Sequence, residues 1–514
     1  MQIKSLLRET YYYSFSSIIL RVFNIAILPL YTLVMPSEGG EYGLLTSIYA
    51  TSTLVMVFLG AGMETTMLRF ANKPGVNPSR IYGTALFTVA SLCALFFCGF
   101  FFFAEPFAIL AETPGMGGAY QIMAAIVAFD TFLTLPFCYL RYRNKARTYC
   151  TYKILQGGIN FVLNIYVLFC CPLLLEMYPD SILSPLWDFW MPDNNLNYIL
   201  GCNLVSSAIM IIVMLDYWRP LGNFYTSTGE AIPFSLVFDY RLFRKMMRYA
   251  LPILGIGVLN VMIQNVDRVI YPWLFDADEG IIQVGIYGAS FRIAMIMALA
   301  TQVLRDLVEP TLFHFSNKQR GVEISAILIV RYFLICSIVL FLIVMASMSL
   351  FKRFLLQDPT YWEGMRVIPI LMIAEVMLGV QYAMSFWYKI GDKPIFGTIF
   401  ELISLVVIVS GMVLFIPSYG YMACAWSIFA GALTRLLLTI VAGFKYSPYQ
   451  VLHKANLSYV GIGLICFGII EAIPDLGALW NTAVGYVVVV VFIYLMVLSE
   501  QSQLDMLSGG NRKS

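Results

Sequence analysis

The chain has 514 residues, 60% of them hydrophobic and 12% charged, with a formal net charge of +2 and a mean hydropathy of +0.79. Soluble domains carry roughly 25% charged residues, so a water-facing surface over the whole molecule is excluded. The basic residues are dispersed rather than gathered into a patch, so the charge gives no sign of a nucleic-acid partner and none is expected. The apolar residues fall in blocks of about 20 or more, each long enough to cross the ~30 Å hydrocarbon core as a helix, which makes the chain an all-α polytopic membrane protein.

In chain order, Lys4 and Arg8 precede an apolar stretch that Arg21 and Asn24 interrupt and that lacks a small-residue cleavage pattern. The first segment is therefore expected to stay in the mature protein. A 19-residue window gives about fourteen spans. They start near Tyr11, Tyr42, Ile81, Ala119, Tyr149, Tyr198, Tyr249, Ile281, Ala326, Arg366, Ile395, Tyr419, Leu457 and Ala478. The loop 219–248, with its Pro, Gly, Ser and Thr, is expected to link two lobes. The scheme is a first lobe 1–218 with six spans, the linker 219–248, a second lobe 249–450 with six more, and 451–514 with a last pair and a tail.

Alternate loops differ in charge. One set carries Lys73 and Arg80, then Arg141, Arg143, Lys145 and Arg147, then Arg241 to Arg248, Lys318 and Arg320, Lys389 and Lys393, and Lys445 and Lys454. The other set has only Lys352 and Arg353. The positive-inside rule then places the basic loops and both termini in the cytoplasm. The ten cysteines lie in or beside apolar blocks without ligand spacing, and His314 and His453 stand alone, so free thiols and no metal or other cofactor are expected.

An internal repeat runs through the chain. Glu41-Tyr42-Gly43 opens the second span and Gly285-Ile286-Tyr287-Gly288 the eighth; Tyr42 and Tyr287, Gly43 and Gly288, and Glu64 and Glu309 are each 245 positions apart. The turn Tyr142, Arg143, Arg147 recurs as Tyr388, Lys389, Lys393 at 246. Each repeat holds an even number of spans, so the two are expected to share an orientation about an axis along the membrane normal.

Charges inside spans cost roughly 2.5–3.5 kcal/mol each at the bilayer centre and must face a wet or paired interior. Gln156, Asn160 and Asn164 recur at i, i+4 and i+8, as do Asn260, Gln264 and Arg268, and Ser17, Arg21 and Asn24 form a similar stripe. These faces read either as the wall of a hydrophilic cavity or as interhelical glue. Arg21, Arg268 and Arg292 read as cavity residues that need a counter-charge or an anionic ligand. Asp267 beside Arg268, and Glu309 one turn after Arg305, read as structural ion pairs. Asp130 and Glu375, with no cation within a turn, and Glu64 read as sites for proton or cation coupling. No nucleophile set, Walker loop or nucleotide fingerprint occurs, so an enzyme is not expected.

Tyr249-Ala250-Leu251-Pro252 with Asn260, Asp267-Arg268 and Gly285-Ile286-Tyr287, together with Pro29-Leu30-Tyr31, Glu41-Tyr42-Gly43, Gly60-Ala61-Gly62-Met63-Glu64 and Arg69, resembles the Wzx-type polysaccharide flippases of the multidrug/oligosaccharidyl-lipid/polysaccharide exporter superfamily. The resemblance covers roughly residues 11–454. It implies a MATE-like, two-lobed, fourteen-helix fold in a bacterial inner membrane, and alternating-access movement of undecaprenyl-pyrophosphate-linked oligosaccharide to the periplasmic leaflet. It also implies the lipid bilayer, protons or sodium, and other polysaccharide-assembly membrane proteins as partners. A MATE-type multidrug antiporter and a lipid II flippase remain alternatives. A membrane glycan polymerase or glycosyltransferase is disfavoured, because the stretch from Pro36 to Glu41 leaves no room for a catalytic outer loop.

Overall fold

The computed structural model describes residues 2–72, 77–111, 113, 115–178, 184–218, 224–225, 231–232, 238–275, 277–302, 304, 319–385, 387–388, 395–446, 454–474 and 477–509. The fold is all-α; a two-residue pairing of Phe224–Tyr225 with Ala231–Ile232 is the only strand pair among the described residues. Arg305, Glu309, Lys389 and Lys393 lie outside the described residues, as does most of the loop from 219 to 237.

The first helices are α1 (Gln2–Ala26), α2 (Leu28–Val34), α3 (Glu41–Gly60), α4 (Met63–Ala71), α5 (Pro78–Leu110), α6 (Gly117–Tyr142) and α7 (Ala146–Ile165). A π-helical turn, Tyr166–Cys170, carries α7 into α8 (Cys171–Met177). There follow α9 (Asn195–Val213), α10 (Leu215–Trp218), α11 (Tyr240–Leu274) and α12 (Ala277–Ala294). Then come α13 (Gln319–Ala346), α14 (Met348–Phe354), α15 (Val367–Met384), α16 (Ile395–Tyr419), α17 (Tyr421–Tyr446), α18 (Lys454–Glu471) and α19 (Ala478–Gly509).

Local chemistry sets the ends. Asn77 caps α5 by accepting from the Ser79 N–H at 3.0 Å, and Asp239 caps α11 by accepting from Arg241 and Leu242. Ala61 and Gly62 take left-handed φ of 46° and 64°, which breaks the second span between α3 and α4. Among the described residues, eleven spans are long and apolar enough to cross a bilayer. Two pairs bent by 44° and 55°, Glu279–Ala294 with Ile296–Gln302 and Val330–Ala346 with Met348–Phe354, raise this to 13, and Ser458–Glu471 is a shorter apolar helix. That range is compatible with about fourteen spans, and the chain is a multi-pass membrane protein.

By packing, the chain forms two compact units, 1–288 and 289–514. In the first, α6 is the central span, with 67% of its apolar window buried, against α5, α9 and α3. Tyr82, Leu86, Val89, Leu135 and Met246 fill the core between α5, α6 and α11. The linker and the packing thus mark different points: α11 begins at Tyr240, inside the stretch 219–248, and packs on α3 and α4, within the first unit.

The repeated glycines have a packing reason. A Cβ on Gly43 would lie 1.8 Å from the Ile281 carbonyl oxygen, and one on Gly285 would lie 3.0 Å from the Gly43 nitrogen. Helices α3 and α12 therefore cross backbone to backbone, a contact that small residues allow between membrane helices.

In the second unit, α17 packs on α15 and α16, and the last pair, α18 and α19, packs on α13. Arg331 of α13 pairs with Glu500 of α19 at 3.6 Å, and Tyr459 of α18 donates to the same carboxylate at 2.6 Å. Ser347 and Tyr486 share a further hydrogen bond of 2.9 Å. All ten cysteines are free.

Candidate functional site: a polar cavity in the first unit

A cavity of about 390 Å³ opens inside the first unit, walled by α1, α2, α3, α6, α7 and α9. Helix α7 supplies one face: Lys153, Gln156, Gly157, Asn160, Phe161 and Asn164 recur at helical spacing and all line it. Helix α1 contributes Leu20, Phe23 and Asn24, and Ile27 at the break and Tyr31 of α2 follow. Gly157 admits α1 closely, since a Cβ there would stand 2.1 Å from the Leu20 Cδ2.

The polar groups form two hydrogen-bonded sets. Tyr31 donates its hydroxyl to Asn164 Oδ1 at 3.0 Å, and Asn164 Nδ2 donates to Asn160 Oδ1 at 2.9 Å and to the Asn160 carbonyl at 2.8 Å. Deeper in, Gln156 Nε2 donates to Asp130 Oδ1 at 3.1 Å, and Ser207 Oγ donates to the same oxygen at 2.5 Å. Ser206 donates to the Gln156 carbonyl at 2.6 Å, which fixes α9 against α7. Lys153 stands over the Phe137 ring at 4.0 Å. The amides can exchange their mutual hydrogen bonds for those of a hydroxyl-rich ligand, so an inserted polar group need not leave buried donors unpaired. Asp130 and Lys153 give the cavity one acidic and one basic side chain.

Of the substrate-binding expectations, Asn24, Gln156, Asn160 and Asn164 line this cavity, and so does the coupling expectation Asp130. Arg21 does not; it sits on α1 one position round from Leu20. Asn260, Gln264 and Arg268 lie on α11 outside it, where Asn260 donates to the Ile256 carbonyl and Arg268 to the Gln264 carbonyl. Asp267 and Arg268 are ion-paired at 3.3 Å, and Tyr287 donates to the other Asp267 oxygen at 2.6 Å. Glu64 lies in the first turn of α4, with its backbone carbonyl accepting from Cys138. Arg292 and Glu375 belong to the second unit, where Thr301 donates to the Glu375 carbonyl at 3.4 Å.

Lys153, Tyr31, Ser206 and Ser207 escaped the sequence reading. Lys153 was visible as the same stripe continued one turn before Gln156. A second signal lay in the repeat: Asp130 and Glu375, and Gln156 and Glu401, are each 245 positions apart, the register of the glycine motifs. In the second unit Glu401 accepts from Arg435 Nη2 at 2.6 Å, a half-buried ion pair at the repeat position of Gln156.

No family model matches the chain. No curated protein matches it in sequence. Its fold is similar to solved structures: lipid II flippase MurJ in an inward closed conformation, with TM-score 0.69, 13% identity and coverage of 95% of this chain and 98% of that one. It is also similar to an inward-facing multidrug resistance MATE family transporter of the MOP superfamily, with TM-score 0.59, 13% identity and coverage of 83% and 94%. A Vibrio cholerae MATE transporter, VcmN, gives TM-score 0.58, 13% identity and coverage of 86% and 97%. The chain therefore has the MATE-like, MurJ-like fold, and these neighbours are transporters and flippases.

Proposed function

We propose that the protein is a flippase that carries an undecaprenyl-pyrophosphate-linked oligosaccharide, a repeat unit of O-antigen, capsule or exopolysaccharide, from the cytoplasmic to the periplasmic leaflet of a bacterial inner membrane by alternating access. Both termini then face the cytoplasm, as the loop charges require. The observation that carries the reading is the ladder of Asn24, Gln156, Asn160 and Asn164 inside an apolar bundle, closed at one end by Asp130 and Lys153. A sugar headgroup crossing hydrocarbon needs its hydroxyls satisfied along the path, and stacked amides do that where aliphatic side chains cannot. In this reading Asn260, Gln264, Arg21, Arg268 and Arg292 serve the same headgroup. The arginines hold its pyrophosphate through charge-assisted hydrogen bonds. Glu64, Asp130 or Glu375 couples the movement to protons or sodium, and other polysaccharide-assembly membrane proteins supply and receive the substrate.

A second reading, flipping of lipid II, is supported by the similarity over 95% of the chain to a lipid II flippase. One experiment separates the two. Cells lacking the protein accumulate lipid-linked oligosaccharide on the cytoplasmic leaflet under the first reading, and lipid II under the second. Neutral replacement of Arg21, Arg268 and Arg292 together stops glycan export; normal export in that strain removes the arginines from the substrate path.

A further inference from the structure

The first unit carries a second hollow, of about 400 Å³, where the end of α2 meets the π-helical turn and the segment before α9. Leu33 and Val34 form one wall, and Leu168 and Phe169 of the π turn form the other. The π turn spreads one extra residue over its helix, and such bulges recur at functional sites. Leu33 and Phe169 are 58% and 54% exposed, so the rim is apolar and open to the bilayer side of the bundle.

One end of this hollow is polar and unsatisfied. Asn195, 6% exposed, donates both Nδ2 hydrogens, to the Val34 carbonyl and to the Pro192 carbonyl, each at 2.9 Å. Its Oδ1 is buried without a partner among the described residues, and so is the indole N–H of Trp190. A buried acceptor and a buried donor thus stand unpaired at the end of an apolar slot. Each is costly to leave so, and tryptophan sits by preference at the membrane–water interface, where lipid glycerol and headgroups lie.

We infer that this slot binds one acyl chain of a membrane phospholipid, with Trp190 Nε1 donating to an ester carbonyl oxygen and Asn195 Oδ1 accepting from an ammonium headgroup such as that of phosphatidylethanolamine. Size and charge select this occupant over the isoprenoid substrate. At roughly 30 Å³ per water-sized group, 400 Å³ holds on the order of a dozen methylenes, far fewer than an undecaprenyl chain contains. No lysine or arginine is among the lining residues, so the slot lacks what a pyrophosphate would need. The bound lipid fills the gap beside the π turn and braces α2 against α8 and α9 on one face of the first unit.

The test uses full-length protein in liposomes that contain a phosphatidylethanolamine with a photoreactive diazirine in its acyl chain, with labelled residues mapped by mass spectrometry. Labelling concentrates in residues 28–34 and 166–172 and is competed by unlabelled phosphatidylethanolamine. The double variant Trp190→Phe/Asn195→Leu lowers it roughly tenfold, the loss expected for two hydrogen bonds. Leu33→Trp fills the slot from its exposed rim, where folding is little at stake, and gives the same loss. Labelling spread evenly over the exposed apolar helices, or unchanged in Leu33→Trp, overturns the assignment. Competition by a polyprenyl pyrophosphate as effective as that by phosphatidylethanolamine overturns it too, in favour of a substrate groove.

Discussion

Replacing Gly43 by alanine puts a methyl carbon 1.8 Å from the Ile281 carbonyl oxygen, 2.8 Å from its carbonyl carbon and 3.0 Å from the Gly285 nitrogen. Real Cβ contacts stay beyond 3.0 Å, so α3 and α12 must separate by more than 1 Å, and backbone cannot swing aside as a side chain can. A gap of ~0.5–1 Å forfeits a quarter to a half of each dispersion contact along the crossing. Tyr42 and Val284, the neighbours of the two glycines in α3 and α12, are almost wholly buried. The cost is about 1–3 kcal/mol for overpacking, partly offset by the gain of roughly 1 kcal/mol in helix propensity for alanine over glycine. Thermal denaturation in detergent, followed by loss of the monodisperse size-exclusion peak, should show a midpoint several degrees lower for Gly43→Ala. Gly285→Ala, whose Cβ meets the Gly43 nitrogen at 3.0 Å, should fall between that variant and the parent. Gly99→Ala, which meets nothing within 4 Å, should be as stable as the parent or more so. Equal midpoints for Gly43→Ala and Gly99→Ala would refute the close crossing.

Three further outcomes follow from the charged groups. Glu401→Gln weakens the 2.6 Å half-buried pair with Arg435 and should cost about 1.5–3 kcal/mol, while Glu401→Leu/Arg435→Met should recover most of that, because no charge is then left without its partner; a double variant no better than the single one contradicts it. Tyr459→Phe removes a hydrogen bond to Glu500 worth about 1.5–3 kcal/mol and should raise protease cleavage between α18 and α19, with cleavage at the parent rate as the contrary result. Asp130→Asn keeps an acceptor for Ser207 and Gln156 but removes the charge facing Lys153; folding should persist while transport falls roughly tenfold, equivalent to about 1.4 kcal/mol. Unchanged transport would make Asp130 a structural group.

The legible part of the fold was whatever a bilayer imposes locally. Apolar length marks spans, and i, i+4 recurrence marks the polar face of α7, because both follow from the geometry of a single helix. What hid were relations between helices. Asp130 reads as isolated along its own span, yet α7 brings Lys153 and α9 brings Ser207 to it, neither of them near in sequence. Arg21 shares a stripe with Asn24 on paper, but Leu20, Asn24 and Ile27 face the cavity and Arg21 turns past it. The loop 219–248 looks like a boundary by composition, whereas contact follows the Gly43 crossing. The π turn has no periodic signature at all, and the slot beside it could not be read from residue spacing.

The central claim is that the amide ladder is the path of a sugar headgroup. Flipping of a fluorescent polyprenyl-pyrophosphate oligosaccharide, measured in proteoliposomes by accessibility to a reagent on one side, tests it most directly. The parent protein should flip it well above the protein-free rate, and Asn160→Leu/Asn164→Leu, stably folded, should fall close to that background. No acceleration by the parent, or the parent's rate in the double variant, would contradict the account.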